Sequence, residues 1–170
     1  KKFFMKVNIA LLTVTDTRTI DNDKSGGILV NKFKEANHNL IERKICKDNK
    51  DDIVVILREW LKNEKIDVII TTGGTGLTGR DITPEALNEV AEKHIPGFGE
   101  IFRNISIKTV GTSAIQSRAC AVLSNGKYIF ALPGSSGGVT DAWEGILKHQ
   151  LDINHKPCNF VELFPRLKEK

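Results

Sequence analysis

Apolar residues recur along the chain in short, nearly unbroken runs separated by stretches of helical spacing. Val7–Thr15 and Val68–Thr72 are almost wholly apolar over strand length, the pattern of strands covered on both faces. Leu40–Cys46 alternates instead, with Ile41, Arg43 and Ile45 on one face, and predicts a partly buried strand. Between these runs, Ile28, Leu29, Phe33 and Ala36 fall at helical spacing within Gly27–Asn37. Ile53, Ile56, Leu57, Trp60 and Leu61 do the same behind Asp51-Asp52, carboxylates that suit a helix N-terminus. Thr83-Pro84-Glu85 reads as a further helix start, with Thr83 as the cap and Pro84 at the first helical position. Ala119–Leu123 and Tyr128–Leu132 predict two strands split by a Ser124-Asn125-Gly126 turn, and Val139–Leu147 a last helix.

Strands alternating with helix-length segments predict βαβ units, hence a three-layer α/β/α fold with a mainly parallel sheet. The 170 residues form one domain, 1–170, with residues 1–6 a frayed tail. Ligands of open parallel sheets bind beyond the carboxyl ends of the strands. That rule directs attention to the loops at 13–18, 46–52, 72–83 and 132–138.

Composition narrows the function classes. Hydrophobic residues are 40% and charged residues 27%, close to a soluble average, and a chain of this length buries enough surface to need no disulfide or metal staple. The net charge of +4 is spread evenly over both halves, and one Tyr and two Trp leave no aromatic-rich basic stripe, so no nucleic-acid partner is expected. Cys46, Cys120 and Cys158 are odd in number and scattered, which predicts reduced thiols and a cytoplasmic protein. The Lys1–Lys6 start imitates a signal peptide, but Lys6 and Asn8 break its apolar run. No stretch approaches 18 apolar residues, so no membrane span is expected.

The 71–84 loop is the most unusual segment, with four glycines and five threonines leading into a helix. Glycines let backbone N–H groups converge on an anion, and the helix start adds its dipole. Gly74-x-Gly76-x-x-Gly79 matches the dinucleotide fingerprint as a string, yet Arg80, Asp81 and Pro84 delay the helix, so no NAD site is read here. No Gly-Lys-Ser/Thr follows, which excludes a P-loop. Asp48 and Asp81 follow the second and third strands, so a sheet ordered 2-1-3 sets both beside one crevice. Two carboxylates beside a phosphate cradle suit Mg²⁺ bridged to phosphate oxygens. His38, His94, His149 and His155 lack metal-ligand spacing, so zinc is not expected. Gly134-x-Ser136-x-Gly138 matches a nucleophile elbow, but its candidate partners Asp141 and His149 lie in the very next helix, too close to fold back.

Taken together, Thr72-Gly73-Gly74-Thr75-Gly76, Arg80-Asp81-Ile82-Thr83-Pro84-Glu85-Ala86 and Pro96-Gly97-Phe98-Gly99-Glu100 resemble the MoaB/MogA molybdopterin-binding family. So do Gly111-Thr112-Ser113, Ser117-Arg118-Ala119, Leu132-Pro133-Gly134-Ser135 and Lys156-Pro157-Cys158-Asn159-Phe160, which point to its single-domain B-type branch. The resemblance runs from about Val7 to Leu167. It implies transfer of adenylate from Mg-ATP to the terminal phosphate of molybdopterin, with pyrophosphate released, in a homo-oligomer (trimer or hexamer). By the same resemblance Asp48 and Asp81 are the acidic pair, catalytic and Mg²⁺-binding. Gly73, Gly74, Thr75 and Gly76, with Thr83, are the nucleotide-phosphate cradle. Thr15, Arg18, Ser113, Ser117, Arg118, Pro133, Gly134 and Ser135 are the pterin-side set. One departure stands out. Adenylyltransferase relatives often read Pro-Gly-x-Pro-Lys, and Ser136 and Gly137 replace that Pro and Lys here. That leaves open a second reading, a non-catalytic pterin-binding or carrier protein of the same pathway.

Overall fold

The two unbroken apolar runs become central strands because only a position with helices on both sides hides every residue. In the computed structural model, which describes residues 5–170, these are β1 (Asn8–Val14) and β3 (Val68–Thr72). The other elements are α1 (Lys24–Glu35), β2 (Asn39–Cys46), α2 (Lys50–Lys62), α3 (Thr83–Val90), β4 (Lys93–His94), α4 (Pro96–Val110), β5 (Cys120–Ser124), β6 (Lys127–Leu132) and α5 (Ser136–Ala142). The six strands lie in the order β2-β1-β3-β6-β5-β4, parallel from β2 to β6 and antiparallel at β5 and β4. This is the expected α/β architecture, including the 2-1-3 order. Of the expected tail, residues 1–4 lie outside the described residues; Met5 and Lys6 are exposed, and Val7 is already core.

Alternate residues of each central strand feed opposite layers. Ile9, Leu11, Val68, Ile70 and Phe130 pack against Leu29, Phe33, Phe98, Phe102 and Trp143 of α1, α4 and the segment after α5. Ala10, Leu12, Ile69, Ile129 and Ala131 pack against Ile53, Leu57, Trp60, Ala86 and Leu87 of α2 and α3. Edge strand β2 pairs only with β1, which leaves Leu40 and Ile41 about one third exposed. Phe160 and Phe164 of the tail pack on Tyr128, and Val161 is buried, so these residues cover the chain's own core.

Four local differences from the sequence reading have physical causes. Helix α1 begins at Lys24 rather than Gly27, because Asp23 caps it by accepting from the Gly26 N–H at 3.0 Å. Thr83 is not the cap of α3: Ile82 holds that position, and the Thr83 hydroxyl instead donates to the Gly73 carbonyl at 2.8 Å. The last predicted helix becomes α5 followed by a π turn at Trp143–Leu147, where Gly145 comes so near α4 that a Cβ would lie 2.6 Å from Ile105 Cδ1. Finally, α4 has no counterpart in the periodicity reading, although Pro96 opens it and Phe98 and Phe102 sit four apart on its buried face.

Candidate functional site

The loops leaving β1, β2, β3 and β6 meet at one end of the sheet, where the chain crosses from β2 on one flank of β1 to β3 on the other. Because β5 runs antiparallel to β6, with Cys120 opposite Ala131, the segment entering β5 arrives at this same end. Residues 111–118, a 3-10 turn (Gly111–Gln116) and its exit, thereby join loops far away in sequence.

At the centre, β3 turns sharply through Gly73 and Gly74, both at positive φ (103° and 70°). A Cβ on Gly73 would sit 2.2 Å from the Val14 carbonyl oxygen, and one on Gly74 would sit 2.3 Å from Thr83 Oγ1 and 3.2 Å from Asp48 Oδ1. Glycine is required at both positions, because conformation and space each forbid a side chain. The Gly73 N–H donates to the Leu132 carbonyl and Thr72 Oγ1 donates to the Pro133 carbonyl, so the β3 and β6 loops are tied together. Gly134 packs on the Gly73 backbone.

Two hollows open on either side of this turn. The larger, about 640 Å³, runs from Thr75, Gly76 and Asp81 past Ser113 and Ser117 to Pro133–Ser135, and its far wall is Phe102, Ser106 and Val110 of α4. The smaller, about 380 Å³, lies between Thr15, Arg18, Asp48 and Gly73. They share Gly74, Asp81, Gly134 and Ser135. Volumes of this size suit small-molecule ligands.

The structure brings Asp48 and Asp81 to one crevice, as the loop positions required. Asp81 Oδ2 accepts from the N–H and the hydroxyl of Thr78, at 2.9 and 2.8 Å, and its carboxylate packs over Gly76. Asp48 Oδ1 lies beside Gly74. Burial, and then the nearby Asp16 and Asp81 carboxylates, push the Asp48 carboxyl above the usual range, with Arg80 opposing. A carboxylate crowded by like charges gains from a cation, and a cation bridged to phosphate oxygens needs only one or two protein carboxylates, so the donor set fits Mg²⁺.

The expected cradle residues divide into surfaces and supports. Gly74 borders both hollows; Thr75 and Gly76 face the larger and Gly73 the smaller. Thr83 is fully buried beneath the loop, its N–H donating to the Gly74 carbonyl and its hydroxyl to that of Gly73. Thr83 therefore shapes the cradle without lining it. The expected pterin set does not form one surface either. Thr15 and Arg18 line the smaller hollow, Ser113, Ser117 and Pro133 the larger, and Gly134 and Ser135 both. Ser135 Oγ caps α5 through the Gly138 N–H, and Arg18 donates to Ser25 and to the Gly134 carbonyl. Arg118 lines neither hollow. Its guanidinium donates to the Gly76 and Asp81 carbonyls and to Glu85, which ties it to the loop from behind.

Sequence reasoning assigned no role to two contributors. Asp16 accepts both arms of Arg80, at 2.9 and 3.0 Å, and also accepts the Asp48 N–H at 3.1 Å, so it joins three loops. Its place in the loop leaving β1, two residues past Val14, was the available signal. The α4 wall was missed with α4 itself. The three cysteines are free; burial, ahead of the nearby acidic residues, pushes the Cys46 thiol up to about 12, and burial pushes Cys120 up to about 11. Among the described residues, no cluster of three or more His, Cys, Asp or Glu side chains is placed to hold a metal, and no helix is long and apolar enough to cross a membrane.

Comparison with known proteins agrees with this geometry. Residues 10–153 match the model of the family described as "Probable molybdopterin binding domain". Molybdenum cofactor biosynthesis protein B of Escherichia coli K12 is 41% identical over 166 residues, covering 98% of this chain and 96% of that protein. Its namesake from Staphylococcus aureus COL is 46% identical over 150 residues, covering 86% and 88%. A crystal structure of a molybdenum cofactor biosynthesis protein B superposes with a TM-score of 0.87 at 36% identity over 98% of both chains. A tungsten cofactor synthesizing protein from Pyrococcus furiosus gives 0.76 at 33% over 85% of this chain and 92% of that one. With the family model matched over residues 10–153 and 98% of its length aligned to a relative at 41% identity, the chain belongs to the molybdopterin-binding family.

Proposed function

We propose that this protein, which as a family member serves molybdenum cofactor biosynthesis, transfers adenylate from ATP to the terminal phosphate of molybdopterin. The observation that carries the reading is the pair of hollows meeting at one rim, Gly74, Asp81, Gly134 and Ser135, with Asp48 alongside. Two ligands seated one per hollow bring their phosphates together where backbone N–H groups, hydroxyls and two carboxylates converge. Asp48 and Asp81 would hold Mg²⁺, which supplies charge neutralisation on the phosphates. Adenylyl transfer of this kind requires positioning and charge stabilisation rather than a protein nucleophile, and the site offers those two things.

The test is direct. Purified protein with molybdopterin, Mg²⁺ and ATP is expected to yield adenylylated pterin and pyrophosphate. No product above a heat-killed control, beside a working relative, overturns the reading.

One observation favours the alternative, a pterin carrier without turnover. At Gly137, where the adenylyltransferase pattern carries lysine, a Cβ would meet nothing within 4 Å, so the larger hollow lacks that cation at an open position. Calorimetry separates the two readings. A carrier binds molybdopterin and ignores ATP, whereas Mg-ATP binding that is lost in Asp81→Ala counts against it.

Self-association belongs to the same proposal. Ile101, Ile107, Val110 and Ile115 on α4 and the following 3-10 turn are exposed, Ile115 by 83%, and they adjoin the wall of the larger hollow. A second copy covering them explains an apolar surface that the tail does not reach. A concentration-independent 18.9 kDa species in light scattering would overturn this.

A further inference from the structure

The loop from Gly73 to Ile82 has a weakness. Leu77–Arg80 at its tip are exposed, so β3 reaches Asp81 only through a solvated turn, while α3 begins two residues beyond it. One side chain from elsewhere in the sequence spans the loop. Arg118, on the segment entering β5, donates through Nε to the Gly76 carbonyl at 2.7 Å and through Nη2 to the Asp81 carbonyl at 3.0 Å. Its backbone N–H donates to the Thr75 carbonyl at 2.8 Å, and Nη1 pairs with Glu85 in the first turn of α3. Four bonds thus run from one residue to both arms of the loop and to the helix it feeds.

We infer that Arg118 is a positioning residue that fixes Asp81 through the backbone, and that Glu85 orients Arg118. A guanidinium is suited to this role because its donors point in fixed, divergent directions within one plane, which a single ammonium cannot reproduce. The carbonyls it binds belong to the residue carrying the carboxylate and to Gly76, on which that carboxylate rests. Displacing the Gly76 carbonyl therefore displaces Asp81. Glu85 supplies the opposite charge that a half-buried guanidinium needs. Burial pushes the Glu85 carboxyl up, but Arg118 outweighs it and holds it below its ordinary range, so Glu85 is the ionised partner at neutral pH. The assignment takes Arg118 away from the ligand and places it behind the loop.

The kinetic part of this inference rests on the adenylyl-transfer reading; the structural part does not. Two measurements keep them apart. Hydrogen exchange on the ligand-free protein is expected to show faster exchange in Arg118→Met at residues 76–81, with β3 and β6 unchanged. Unchanged exchange in that loop overturns the clamp whatever the reaction is. Should Arg118→Met fail to fold, Glu85→Gln keeps the shape and removes the charge, and the same local signature in weaker form is expected. For turnover, Arg118→Met alone is expected to cost on the order of 10²-fold in kcat, with KM for ATP changed much less, since small misplacements of reacting groups have effects of this size. In the Asp81→Asn background the same change is expected to cost less than about threefold, because the residue it positions is already disabled. Full additivity overturns the proposal. Arg118→Lys keeps the charge and loses the fork, so wild-type turnover in that variant overturns it as well. If the parent protein makes no adenylylated pterin, the reading fails, and the exchange measurement still decides the clamp.

Discussion

The two carboxylates of the crevice are held in different ways. Asp81 is stitched by directional hydrogen bonds: its carboxylate accepts from Thr78, and its carbonyl accepts from Arg118. Asp48 stands among charges instead, close to Asp16 and Arg80, whose exposed pair crosses from the β1 loop to the glycine loop. Hydrogen bonds of the first kind fix a position, whereas exposed ion pairs exchange partners easily and weaken in salt. The Asp81 side is therefore the more fixed of the two, and the Asp48 side the more sensitive to a change in nearby charge.

The contrast is broken most severely at the turn between the two sides. Gly73→Ala must place a Cβ against the Val14 carbonyl at positive φ, where a backbone oxygen cannot yield. It is expected to lose about 3 kcal/mol or more of stability, read as a collapse of the melting temperature.

Next in size, Asp81→Asn is expected to cost on the order of 10²-fold or more in adenylyl transfer. Its melting temperature is expected to fall by the equivalent of about 1 kcal/mol, through weakened Thr78 bonds. Asp48→Asn is expected to lose less turnover, about tenfold, and to move stability the other way. The folded protein holds the Asp48 proton to higher pH than the unfolded chain does. Between the ordinary carboxylate value and the raised one, the folded state thus binds more protons, and stability falls as pH rises. Asparagine removes that penalty, so Asp48→Asn is expected to melt no lower than the parent at pH 7 and to lose this slope below it. Parallel loss of stability and turnover in both variants would erase the distinction between the two sides.

The smallest expected effects belong to the surface pair. Arg80→Ala is expected to change KM for ATP a few-fold with little change in melting temperature, and the difference from the parent is expected to shrink in high salt. At the opposite rim, Gly137→Lys enters open space and is expected to tighten phosphate-ligand binding without destabilising the fold. Loss of binding there would mean that the rim is shaped around glycine.

Much of this was legible in the sequence, for reasons that differ by element. Unbroken apolar runs marked β1 and β3 as doubly covered strands, and the loops after them then followed from topology. Asp48 and Asp81 were found because each lies in a loop leaving a strand that ends at the crevice. The Asn125-Gly126 turn was visible because positive φ at both positions (49° and 70°) demands those residue types. Helix α4 escaped because glycines at 97 and 99 interrupt its start and hydrophobic residues also occupy its outer face. Arg118 was read into the pterin-side set, whereas its guanidinium is turned to the Gly76 and Asp81 carbonyls. Composition cannot tell whether a guanidinium faces a cavity or a carbonyl; only the antiparallel path of β5 decides it. Thr83 failed as a cap for a similar reason, since the Gly73 carbonyl, ten residues earlier at the start of the loop, takes its hydroxyl.

The reversed direction of β5 has one more consequence, for how such a protein changes over time. The parallel strands carry the carboxylates and the glycine turn, all encoded before residue 83. The wall of the larger hollow comes from a separate stretch, Pro96 to Ser117, which reaches the same end of the sheet only because the following strand runs backwards. The carboxylates and the α4 wall are thereby carried by two separate stretches of sequence, with Gly134 and Ser135 of a third completing both hollows. Divergence in the second stretch can reshape the wall of the larger hollow while the first stays constant, with Arg118 as the joint between them.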